Sequence, residues 1–240
     1  MDSIWSRLGA ALLSLPARGA FGIGSLLEAI RTMFVGDPAL RRQVGFSIAM
    51  IALSAKMARA DGVVTQDEVR AFHKIFEIPA DEMRNVQRLY HLAQADTAGF
   101  ETYAYQLANL CGSGDDNCLL LQDILDGLFY IAEADGIVHE REVEFLRRIG
   151  EIFRIDALHF KRLLARHATP MGADPYAVLD LPVDTEFGAV RKRYRMLVAE
   201  NHPDRLIARG MPADFIAIAT NRLAAINSAY EMIERSQVPA

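Results

Sequence analysis

The sequence predicts an all-α protein, and three observations carry that expectation. Apolar residues recur at intervals of three and four along most of the chain, the period of one buried stripe on a helix. No segment shows the alternating apolar and polar run, bounded by turn residues, that marks a strand. A pattern centred on Ala58-Arg59-Ala60-Asp61-Gly62 returns at Ala132-Glu133-Ala134-Asp135-Gly136, so one helix–turn–helix unit is used twice.

Residues 1–36 come first. Ile4, Trp5, Leu8, Leu12 and Leu15 form a short helical stripe that Pro16 and Gly19 end, and Leu26, Leu27, Ile30, Met33 and Phe34 repeat it. A spanning helix needs roughly 20 mostly apolar residues. Arg7, Pro16, Arg18, Glu28 and Arg31 leave no such run, and Asp2 argues against a secretory signal. The segment is expected to pack on the next domain or on a second copy. Lying in a membrane interface with Trp5 as an anchor is a second arrangement, and spanning is a third.

The repeat lies within a helical domain of residues 37–168. The first helix of each unit is apolar, Ile48 to Met57 and Leu120 to Ile131. Each ends at Asp-Gly, where glycine can take the left-handed conformation that closes a helix. Thr65 and Glu68 then stand at capping-box spacing for the next helix, and His139 and Glu142 hold the same places in the second unit. Further helical segments lie at residues 81–95 and 97–110. The expected result is a helical bundle with pseudo-two-fold organisation. Residues 169–173 contain Pro170 and Gly172 and read as a linker.

From residue 174 onward two helices are expected to form a hairpin. The first carries Phe187, Val190, Tyr194, Leu197 and Val198 on one stripe, and the second carries Phe215, Ala219, Leu223, Ile226, Tyr230 and Ile233. Between them Pro203 stops the first helix, leaving His202 and Asp204 in the connecting loop. Arg191 and Arg195, four apart, are neighbours beside the apolar stripe, with Lys192 close by.

Composition excludes several classes of function. A net charge of −5 argues against general nucleic-acid binding, which needs a broad cationic surface. Two cysteines, Cys111 and Cys118, are too few for a disulfide framework or a four-ligand zinc site and read as reduced thiols. His73, His91, His159 and His167 show no ligand spacing and read as surface or packing residues. No glycine-rich phosphate loop or activated serine pattern accompanies His202 and Asp204, so no catalytic residue and no cofactor are expected.

Four motifs occur in one order: Asp174-Pro175-Tyr176-Ala177-Val178-Leu179, Val190-Arg191-Lys192-Arg193-Tyr194-Arg195, His202-Pro203-Asp204 and Ile226-Asn227-Ser228-Ala229-Tyr230-Glu231. Together they resemble the J-domain, by which DnaJ-type co-chaperones engage a DnaK-type chaperone ATPase. The resemblance covers about residues 174–235. The spacer from Arg205 to Met211, followed by Pro212, is similar to the DjlA subgroup. The repeat, over about residues 40–166, resembles the TerB family of small helical domains found beside J-domains in DjlA-like proteins.

These resemblances imply a co-chaperone without chemistry of its own. Its partner-binding residues would be His202, Pro203, Asp204, Arg191, Tyr194 and Arg195, with the basic helix docking on the ATPase and the tripeptide triggering hydrolysis. Met196, Glu200 and Asn201 stand where DnaJ has basic or aromatic residues, which implies a footprint that is either weaker or tuned to one partner. DjlA-type proteins carry an N-terminal membrane segment, from which residues 1–36 depart. A cytoplasmic location is expected, with a peripheral position at the inner membrane as the alternative. TerB domains are suspected of binding metal through acidic residues, here Asp61, Glu68, Asp135 and Glu142. Turn and cap roles account for those side chains, and no metal is expected. The rival reading is a TerB-based scaffold or stress sensor in which the J-like part mediates assembly.

Overall fold

The computed structural model describes residues 38–60, 82–95, 99–109, 118–136, 138–167, 174–209 and 216–237. Every regular element among them is a helix. In chain order they are α1 (Pro38–Ala60), α2 (Met83–Ala95), α3 (Phe100–Ala108), α4 (Leu119–Ala132), α5 (Glu140–Ile152) and α6 (Ala157–His167), followed by α7 (Pro175–Val178), α8 (Phe187–Glu200), α9 (Pro203–Arg209) and α10 (Ile216–Gln237). A 3₁₀ turn, Glu133–Asp135, extends α4.

The sequence explains which helices are central. From Val44 to Met57, α1 is apolar nearly all round and buried almost without interruption, as expected of a helix surrounded by others. The other central helix is α4, where Leu120, Leu121, Ile124, Leu125, Leu128, Phe129 and Ile131 are buried. By contrast, α2 and α5 bury one stripe each, Val86, Leu89 and Ala93 in the first and Phe145, Leu146 and Ile149 in the second. Phe100 and Phe145 meet with ring centroids 4.4 Å apart, joining α3 to α5.

The repeat's second turn behaves as its Asp-Gly predicts. Gly136 closes the 3₁₀ turn at φ 95°, its N–H bonding back to Glu133 O at 2.8 Å. The Glu142 carboxylate accepts the His139 backbone N–H at 2.8 Å, fixing the start of α5. The equivalent residues of the first copy, Asp61, Gly62, Thr65 and Glu68, lie outside the described residues, as do residues 1–36 and the linker. Cys118 stands just before α4, and Cys111 lies outside the described residues.

The C-terminal helices have a smaller core. Val178, Leu179, Val190, Leu197, Ile226, Ala229 and Ile233 are buried together, with Tyr176, Phe187, Tyr194 and Tyr230 packed against them. Asp174 caps α7, accepting the Tyr176 N–H at 3.0 Å, and Pro175 takes the first helical position. Leu206, Ile218 and Ala219 turn away from this hairpin and are buried in the core of the first six helices. Gly127 on α4 makes room for that contact, since a Cβ there would stand 2.7 Å from Ile218 Cδ1.

Candidate functional site

The tripeptide is displayed, but not in the expected loop. Pro203 ends α8 by sequence logic and at once opens α9, because proline's missing N–H and fixed φ suit a first helical position. His202 therefore sits at the junction of two helices, its carbonyl accepting the N–H of Arg205 at 2.9 Å. Its ring nitrogen Nδ1 accepts the Asp204 N–H at 3.3 Å and stands 3.6 Å from the Asp204 carboxylate. The side chains of His202 and Asp204 are 56% and 88% exposed, so this pair is held by local geometry and stays open to a partner.

The basic residues of α8 divide between two faces. Arg191, Lys192 and Arg195 are exposed, and the Arg191 guanidinium lies 5.1 Å from the Phe187 ring centroid. That cation–π contact stiffens an otherwise mobile side chain. Arg193 points the other way and bonds Asp180 at 2.8 Å. Tyr194, expected as a contact residue, stacks on Tyr230 with centroids 4.2 Å apart, and its hydroxyl donates to Asn227 at 3.1 Å. Its ring is thus committed to holding α8 against α10.

Behind this display surface lies a network that periodicity did not reveal. Asp123 and Asp126, three apart on one face of α4, are both about 1% exposed. Arg222 of α10 donates Nη1 to Asp123 at 2.8 Å and Nε to Asp126 Oδ2 at 2.7 Å. The same Nη1 also donates to Asn201 Oδ1 at 3.0 Å. Arg166 Nη1 donates to Asp126 Oδ1 at 3.0 Å. The His167 ring, stacked on Phe129, directs Nε2 at Asp126 and Nδ1 at Glu133, at 3.0 and 2.9 Å. Asn221 donates to the other oxygen of Glu133 at 3.1 Å.

Burying charges is expensive unless each is paired, and the electrostatics show how the pairing succeeds. Burial pushes the Asp126 carboxyl upward, but the charges of Arg222 and Arg166 and the His167 hydrogen bond outweigh it and hold the group well below the usual carboxylate range. Burial likewise opposes charge on His167, yet its hydrogen bonds to Asp126 and Glu133 raise its pKa. With a carboxylate oxygen before each ring nitrogen, both bonds form only when both nitrogens carry protons. For Arg222, burial is again overcome by Asp126 and Asp123, and its pKa is raised.

A second bridge runs beside the first. Asp180, at φ 63° in the turn after α7, accepts Arg162 of α6 at 2.5 Å and Arg193 of α8 at 2.8 Å. The two bridges flank a cleft of about 760 Å³ whose walls include Asp123, Arg162, Arg193, Asn201 and Arg205. Among the described residues no group of histidine, cysteine and carboxylate side chains is arranged to hold a metal ion. Of the acidic residues implied as ligands, Glu142 is occupied in a cap, and Asp61 and Glu68 are outside the described residues.

His167 read as a surface or packing residue in the sequence, whereas it is buried between two carboxylates. Two signals pointed to this network: a pair of aspartates inside the apolar run Leu119–Ala132, and Arg222 within the apolar period of α10. Either is surprising in a helix face that must be dry.

No helix among the described residues is long and apolar enough to cross a membrane. Comparison with known families matches residues 47–165 to the tellurite resistance protein TerB. A Co-chaperone protein DjlA from Photobacterium profundum is 28% identical over 225 residues, covering 82% of this chain and 79% of that protein. Proteins of the same name from Vibrio parahaemolyticus and Salmonella typhimurium are 24% and 23% identical, each over more than four-fifths of this chain and 81% of their own length. No solved structure matches. The match to TerB over residues 47–165 and the agreement with these relatives along most of both chains support a DjlA-like protein.

Proposed function

We propose that this chain is a co-chaperone that stimulates ATP hydrolysis by a DnaK-type chaperone, acting through a J-domain at residues 174–240. The observation that carries this reading is the exposure of His202 and Asp204 on a hairpin whose core closes without them. A tripeptide kept only for packing would be buried or would bond across the hairpin. This one bonds within itself and faces solvent beside the exposed Arg191, Lys192 and Arg195.

In this reading the arginines meet acidic groups on the chaperone, where guanidinium geometry allows paired contacts to a carboxylate. Tyr194 supports that face from behind. The tripeptide then biases the chaperone's ATPase toward its hydrolytic conformation, which requires that it bind one state better than the other. The names of the DjlA relatives support a co-chaperone role, and no bond is made or broken by this chain itself. The TerB domain would serve targeting or stress sensing, and residues 1–36 would provide contact with a membrane surface or a second copy.

Single-turnover ATP hydrolysis by a DnaK-type chaperone tests the proposal. The whole chain should accelerate it and His202→Gln should not. Equal stimulation by both would remove the co-chaperone role and leave a TerB-based scaffold, in which the J-like part mediates assembly.

A further inference from the structure

The residues on either side of the tripeptide are tied to the TerB domain, Asn201 by way of Arg222 and Leu206 directly, as well as to the hairpin that displays them. Asn201, immediately before His202, ends α8. Its amide donates to Leu197 O at 2.7 Å, and its carbonyl oxygen accepts Arg222 Nη1 at 3.0 Å. That same nitrogen is bonded to Asp123 at 2.8 Å, while Arg222 Nε is fixed on Asp126 at 2.7 Å. A guanidinium is planar and rigid, so two carboxylates on α4 determine where its third bond points. On the other side, Leu206 stands four residues after His202, in the first turns of α9, and is fully buried in the core that α1 and α4 dominate.

We infer that Asn201 and Leu206 are positioning residues, through which the TerB-domain carboxylates Asp123 and Asp126, by way of Arg222, fix the orientation of His202-Pro203-Asp204 relative to the basic face of α8. The inference rests on the co-chaperone reading above for what the orientation accomplishes. The geometry supports a division of labour. Arg191 and Arg195 sit on the middle of α8, which packs on α10 through the apolar core of Val190, Leu197, Ile226 and Ala229, so they govern encounter. The tripeptide lies at the junction of α8 and α9, where the local contacts are a 3.3 Å hydrogen bond within the tripeptide, a 3.4 Å bond from Arg205 Nη1 to Ala199 O and the first backbone bonds of a short helix. Such a junction has little rigidity of its own, and its alignment comes from the anchors at Asn201 and Leu206. The TerB domain thereby becomes part of the triggering device as well as a neighbour of it.

The test uses the full chain with Asn201→Ala, Asn201→Asp, the isosteric pair Asp123→Asn with Asp126→Asn, Leu206→Ala, and His202→Gln as reference. Two quantities are measured: amide hydrogen exchange across residues 199–206 in the chain alone, and chaperone ATP hydrolysis as a function of co-chaperone concentration. Thermal melts confirm that each variant is folded at the assay temperature. Asn201→Ala loses the acceptor for a charged donor, and exchange at the tripeptide should become about tenfold faster. Maximal stimulation should fall several-fold while the concentration giving half of it stays unchanged, a split that general loss of stability does not produce. Asn201→Asp keeps an acceptor for Arg222 and should restore most of the stimulation. Leu206→Ala should repeat the Asn201→Ala pattern from the other side, and the aspartate pair should do so without touching the hairpin. Full maximal stimulation by folded Asn201→Ala would overturn the positioning role, whatever its exchange rates. If the parent chain itself stimulates nothing, the co-chaperone reading fails instead. Exchange then decides the anchoring alone, and unchanged rates in Asn201→Ala would overturn it.

Discussion

Arg222 on α10 and Asp126 on α4 meet at 2.7 Å with side chains only 7% and 1% exposed. They join the C-terminal hairpin to the TerB domain. Neither charge belongs in a dry interior by itself, and each is tolerated because the other is there. Arg222→Met should therefore destabilise the chain by about 3–5 kcal/mol, since it leaves Asp123 and Asp126 buried with less compensation. Arg222→Lys should fall between, because a single ammonium cannot span both carboxylates and Asn201 as the guanidinium does. Urea unfolding followed by circular dichroism checks both, and a loss under 1 kcal/mol for Arg222→Met would mean that water reaches the aspartates.

Gly136 offers a cleaner backbone test. A Cβ built there would meet nothing within 4 Å, so space is not the obstacle. At φ 95° the obstacle is the left-handed backbone alone. Gly136→Ala should destabilise by about 1 kcal/mol, measured as a shift in the urea midpoint with an unchanged slope. A neutral result would show that the turn re-forms with negative φ.

These two sites mark what could be read from the sequence and what could not. The all-α class, the apolar helices α1 and α4, the second Asp-Gly turn and the Val190–Leu197–Ile226 core follow from period and turn chemistry, which are local. The tripeptide and the basic run were visible for the same reason. The junction of α8 and α9 was less legible, because Pro203 both ends one helix and begins another, and the sequence shows only the ending. The Arg222 network depends on pairing across about a hundred residues of chain, and no periodic signal encodes which carboxylate an arginine will meet. His167 does pack, stacked on Phe129, but its carboxylate partners were hidden on the same ground, lying 34 and 41 residues away.

His167 gives the network a pH dependence. Asp126 and Glu133 face its two nitrogens, Phe129 stacks on its ring, and Arg166 bonds the same oxygen of Asp126. Its folded pKa is raised by those carboxylates. Its contribution is therefore complete below the unfolded value of about 6.5 and is lost as pH rises through the higher folded value. Asp126, with a lowered folded pKa, contributes above about pH 4 and loses that contribution only in stronger acid. Melting temperature should thus decline as pH rises above about 6.5 in the parent and decline less in His167→Gln. Parallel curves would show that the ring is neutral in the folded chain.

The last prediction separates encounter from triggering on the outer face of α8. Arg191 and Arg195 are exposed; Arg195 Nε donates to the Arg191 carbonyl at 3.4 Å, and the Arg191 guanidinium lies over the Phe187 ring. Removing both charges with Arg191→Ala and Arg195→Ala leaves the Val190, Leu197 and Ile226 core intact, so stability should change by about 0.5 kcal/mol or less. Charges in water act over a screening length of about 8–10 Å at ordinary ionic strength. Loss of these two should raise the concentration needed for half-maximal chaperone stimulation at low salt, and the difference from the parent should shrink as salt is added. Maximal stimulation should remain, because His202 and Asp204 keep their geometry at the start of α9. If the double variant instead loses maximal stimulation equally at low and high salt, the arginines act at the triggering step. The division between the middle of α8 and its junction with α9 would then fall.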